Sequence, residues 1–208
     1  MNARLFSQDE ASIASIGLML DGPGPTVASD PSACHGATSP STGPTPSPAT
    51  STTSVPDVDA LQASVAALKL QASACLAISA LAVHLGCVQP LLRQGILDRL
   101  QDRLSDSVAI LNDHHPASLA GIRPDTGQGP AIATLALQAS VAGALASCLA
   151  NMAQDPVVAA RLSAGSNEAG FRGLEDLATI SSALGFGAAR DSAEAALMAI
   201  QKRAVHCR

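Results

Sequence analysis

The chain has 208 residues, of which 47% are hydrophobic and only 14% are Asp, Glu, Lys or Arg, against roughly 25% charged in an ordinary globular protein. It holds no Trp, no Tyr and three Phe, so any core is packed by Ala, Leu, Val and Ile, which suits closely spaced helices better than a sheet. A net charge of −5 excludes the positive field that nonspecific nucleic-acid binding needs, and equally a basic helix lying on a membrane.

Residues 1–20 read as a short amphipathic segment. Ser7 and Glu10 have capping-box spacing, and Ile13, Ile16, Leu18 and Leu20 supply the apolar side. A helix this short is marginal in water, so the expectation is a fraying end, with docking onto a partner as the alternative. Asp9 and Glu10 stand where the apolar region of a secretory signal would begin, and Arg4 is the only early cation. Residues 21–56 are Gly, Pro, Ser, Thr and Ala in low-complexity order. Such a stretch buries too little apolar area to offset chain entropy, and it reads as a disordered linker.

Residues 57–208 read as one α-helical bundle domain. Its first helix spans 57–86, with Leu61, Val65, Leu68, Ala72, Cys75, Leu76 and Val83 as the buried face and Gly86 as the C-terminal cap. The second opens at Pro90 and closes near Asp113. Ile96, Leu97, Leu100, Leu104, Val108 and Leu111 form its stripe, and Arg99–Asp102 and Arg103–Asp106 are pairs one turn apart on its wet side. A loop covers 114–129. The third helix runs 130–154 on Leu137, Val141, Leu145, Cys148, Leu149 and Met152. A short helix follows Asp155-Pro156 to about Leu162. Asn167 caps another that ends near Gly185, with Phe171, Leu174, Leu177, Ile180 and Leu184 inward. The last spans 188–204, with Asp191 and Glu194 early and Lys202 and Arg203 late, as the helix dipole favours.

Leu61-Gln62-Ala63-Ser64-Val65-Ala66 recurs as residues 137–142, and Ala74-Cys75-Leu76-Ala77 is echoed at 147–150. Gly95-Ile96-Leu97-Asp98 likewise resembles Gly173-Leu174-Glu175-Asp176. A duplicated helical hairpin accounts for these echoes, and alanine bias alone accounts for them about as well. The fold class expected is all-α: a helical bundle of four main helices plus short helices. The two uncharged helices lie at its centre and the amphipathic ones outside. Residues 126–154 carry no charge, and residues 70–92 carry only His84. Both stretches are long enough to span a bilayer, but buried bundle helices account for the same residues, and insertion is the lesser expectation.

No catalytic constellation emerges. The chain holds no P-loop, no dinucleotide fingerprint, no Glu-x-x-His pair and no Gly-x-Ser-x-Gly turn, and only Glu10, Glu168, Glu175 and Glu194 among glutamates. The five cysteines, Cys34, Cys75, Cys87, Cys148 and Cys207, are odd in number and irregular in spacing, which argues for reduced thiols in a cytoplasm rather than a disulfide framework. Cys adjoins His at 34–35 and 206–207, and His84 and Cys87 stand one turn apart. His84 and Cys87 are therefore the metal-ligand candidates, with His114 or His115 as a further ligand. No cofactor is expected. The function expected is a non-enzymatic helical interaction protein, self-associating or binding a protein partner through apolar helix faces. An exported or injected bacterial protein with a flexible delivery region, secreted without a cleaved signal, is the first alternative. A thiol or metal-binding helical protein is the second.

Overall fold

In a computed structural model the described residues are 10–21, 58–114, 129–163 and 168–205. They form eight helices and no strand: α1 (Glu10–Asp21), α2 (Val58–Ala82), α3 (Leu85–Arg93), α4 (Ile96–Asp113), α5 (Gly129–Met152), α6 (Pro156–Ser163), α7 (Glu168–Leu184) and α8 (Gly187–Val205). The all-α bundle expected from composition is what the chain builds. Residues 22–56 of the linker, Asn167 and residues 115–128 of the loop fall outside the described residues.

α5 is the axis. It packs against α8, α2 and α4, and touches α7. Leu135, Val141, Leu145, Cys148, Leu149 and Met152 are buried, together with Ala139, Ala142, Ala146 and Ala153. The small residues let the neighbours come close: a Cβ added at Gly143 would stand 3.2 Å from the Ala189 Cα of α8. The stripe named from sequence holds except for Leu137, which is half-buried while Leu135 faces the core.

α2 does not share this central place. It packs against α5, α1 and α3 on one side only, and 28% of its Leu61–Ala82 window is buried against 56% of Ile132–Met152 in α5. The three- and four-residue steps through Leu68, Ala72 and Cys75 continue to Ile78 and Ala82, which are buried, rather than to Leu76 and Val83, which are 70% and 65% exposed. Alanine lies on every side of this helix, so hydropathy marks no face, and the true stripe follows the packing of α5.

The segment 83–95 also departs from expectation. α2 ends at Ala82, and His84 is extended at φ −95° and ψ 106°. A separate helix, α3, then starts at Leu85 with Gly86 inside it rather than as a cap, and with Pro90 in its interior instead of opening a helix. The break turns Cys87, Val88 and Leu91 into the core. Pro90 lacks an N–H to bond the Gly86 carbonyl, so the second turn of this nine-residue helix goes without that bond. Gly95, left-handed at φ +68°, ends α3 and opens α4, so the helix expected over 90–113 is two.

α1 packs onto α2, α4 and α3 instead of fraying. Ile13, Ile16 and Leu20 are buried, whereas Leu18 is exposed. The core that began at residue 57 on sequence grounds therefore takes in residues 10–21 as well.

α6 and α8 follow expectation. Asp155 caps α6, its carboxylate accepting the Val157 and Val158 N–H groups at 2.8 and 3.4 Å. Gly185, at φ +80°, separates α7 from α8. Leu174 and Leu177 of α7 are buried, and Phe171, Ile180 and Leu184 are half-buried. The 61–66 and 137–142 segments lie on α2 and α5, which pack together. Gly95 and Gly173 are not equivalent, since one is a left-handed break and the other sits within α7.

Candidate functional site

His84 and Cys87 do not converge. His84 is exposed in the turn before α3, whereas Cys87 is 3% exposed and faces the core. The His84 carbonyl accepts the Cys87 N–H at 2.8 Å, so the backbone closes a turn between them while the side chains part. His114 is exposed at the end of α4, its Nδ1 donating to the Ile110 carbonyl at 2.8 Å. Among the described residues no three His, Cys, Asp or Glu side chains gather as a metal would require. Cys34, His35, His115, His206 and Cys207 lie outside the described residues.

The other two thiols meet in the seam between α2 and α5. Cys75 and Cys148 are 1% and 0% exposed, and the Cys148 Sγ–H donates to the Cys75 carbonyl at 2.9 Å. The adjacent Cys75 side chain and burial together push the Cys148 thiol well above its ordinary range, partly offset by the Ser79 backbone. Burial also pushes Cys87 up. A raised, enclosed thiol is a poor nucleophile and a poor ligand, so Cys148 and Cys87 serve the packing. One turn further along, Asn151 Nδ2 donates to Ser79 Oγ at 2.6 Å and ties the same two helices.

Two surfaces among the described residues are candidate docking faces. One is the outward face of α2, where Leu70 and Leu76 are 39% and 70% exposed, continued just past its end by Val83 at 65%. Lys69 is the only charge from Leu61 to Ala82. The other is a groove of about 560 Å³ between α4 and α7, with Val108, Ala109, Ile180 and Ala183 beside Ser105, Asn112, Arg172 and Asp176. Its lining offers no nucleophile–base pair.

One cation–carboxylate contact missed in the sequence holds the end of α1. Arg99 Nη1 donates to Asp21 Oδ2 at 2.9 Å, and Arg103 Nη2 donates to the Asp21 carbonyl at 2.6 Å. Arg103 keeps its expected partner Asp106 at 3.3 Å, but Arg99 turns to Asp21 rather than Asp102. Asp98 meets Arg161 of α6 at 2.9 Å. Nothing in local spacing signals contacts to Asp21, which stands almost eighty residues away in the chain.

The stretches Leu61–Ala82 and Ile132–Met152 are long and apolar enough to cross a bilayer by length and composition, a test that the core helix of a bundle also passes. No protein-family model, curated protein or solved structure matches this chain.

Proposed function

We propose that the chain is a non-enzymatic α-helical interaction protein that self-associates through an apolar helix face. The observation that carries this reading is the outward side of α2. A 25-residue helix with almost no charge leaves Leu70, Leu76 and, just past its end, Val83 in water while its other side is packed. Apolar side chains gathered on one helix face mark an interaction surface more often than single exposed residues do. Ala66, Ser73 and Ala80 recur on that face every seven residues, small enough to let a second helix approach closely.

Absence of charge favours another apolar helix as the partner, and a second copy offers the same face in a closed two-fold pair. Sedimentation equilibrium across a range of concentrations tests this. The expected result is a mass near twice 20.8 kDa as concentration rises. A mass of one chain at every concentration, with nothing co-purifying, overturns it.

A further inference from the structure

We infer that the groove holding α1 is a receptor for this helix in trans as well as in cis, so that the two copies of a self-associated pair exchange α1 and need that exchange as well as the α2 contact to stay together. This deepens the self-association reading and rests on it. α1 attaches by a compact signature. Ile13, Ile16 and Leu20 are 1%, 8% and 0% exposed against α2, α3 and α4. A Cβ added at Gly17 would stand 3.0 Å from Ile96 Cδ1 and Arg99 Nη1, so a larger residue there makes these two side chains give way. At the far end Arg99 and Arg103 hold the Asp21 carboxylate and carbonyl, and Gln71 Nε2 donates to the Leu20 carbonyl at 3.2 Å. The side chains therefore read two Ile, a Gly, a Leu and a terminal carboxylate at fixed spacing, a specificity that only a helix of this sequence meets in full.

The covalent connection permits exchange. Residues 22–57 separate Asp21 from Val58, and a stretch of that length reaches on the order of 100 Å when extended, far beyond one bundle's width. A helix of 12 residues is marginal alone, so α1 is ordered by whichever groove it occupies. Two copies that trade α1 keep every contact of the closed form, which makes exchange a low-cost route to a dimer.

The test uses a full-length Ile13→Asp/Leu20→Asp variant, whose own α1 cannot dock, and a fluorescent peptide of residues 8–23. The peptide is expected to bind this variant at least about tenfold more tightly than it binds the wild-type chain, whose groove is filled. Adding Arg99→Glu/Arg103→Glu weakens that binding by about tenfold. Equal binding by wild type and variant overturns the proposal. If the variant fails to fold by circular dichroism, the wild-type chain decides: excess peptide lowers the mass of its dimer to that of a monomer, and an unchanged mass overturns exchange. A dimer that Leu76→Glu/Val83→Glu dissolves but peptide leaves intact removes exchange alone. A wild-type chain monomeric at every concentration removes the self-association reading and exchange with it.

Discussion

Two buried amides on neighbouring helices meet opposite circumstances. Gln138 of α5 is 7% exposed and its Nε2 donates to Ser107 Oγ of α4 at 3.0 Å, a polar pin inside an apolar interface. Ser107→Ala strands the amide, and a buried group left without its partner costs about 1–3 kcal/mol. Urea denaturation should show that loss, whereas Ser105→Ala, exposed one turn-half away, shifts stability by less than about 0.5 kcal/mol. Gln101 is also buried, yet its Nε2 has no hydrogen-bond partner and abuts Gly170 of α7. Gln101→Leu removes an unmet donor at similar volume, so it is expected to leave stability unchanged or raise it by about 1 kcal/mol. A loss above about 1 kcal/mol would contradict this account of Gln101. Cys148 adds a pH signature. Its thiol is held above the ordinary range, so the stability linked to it is full below the pKa of an unfolded thiol, about 8.5, and is lost as pH rises beyond it. Thermal unfolding followed above neutral pH should show this decline, and Cys148→Ala should flatten it.

At the scale of helices, legibility followed periodicity. α4 was readable to within a residue or two at its C-terminal end because its apolar and charged sides differ sharply, and Leu97, Leu100, Leu104 and Leu111 are all buried as the spacing requires. α2 was readable as a helix but not as a face, since Ala66, Ala72, Ala74 and Ala80 point every way and cost little in water or protein. Pro90 misled for a physical reason: proline favours a first turn, but tertiary packing of Val88 and Leu91 placed the helix start five residues earlier. Gly95 is the residue that makes the corner after it. In the left-handed region a Cβ costs roughly 1–2 kcal/mol, although open space surrounds the position. Gly95→Ala should therefore lower stability by about that amount, with an unchanged m-value in urea. A smaller effect than about 0.5 kcal/mol would mean that α3 and α4 tolerate a continuous path.

The whole molecule is a bundle wrapped around α5, with α1 closing one side and α2 left half-open. Composition disclosed the class: few charges, almost no aromatics and abundant alanine leave helices packed at close range as the arrangement that fills a core. Placement was out of reach, because α2, with only Asp59 and Lys69 charged, and charge-free α5 look alike in sequence, and only the packing of α4, α7 and α8 decides which one lies inside. The metal-ligand pair was likewise legible only as spacing. His84 and Cys87 are three residues apart, but the chain turns between them and sends one to water and the other to the core. The α1 clamp was invisible for the opposite reason, its partners being distant in the chain and near in space. The account as a whole turns on the outward face of α2 being an interface. Light-scattering mass of wild-type chain and of Leu76→Glu/Val83→Glu, at matched concentration and with equal helical signal, tests it most directly. A wild-type mass near two chains that falls to one in the variant is the expected result, and equal masses for the two proteins contradict it.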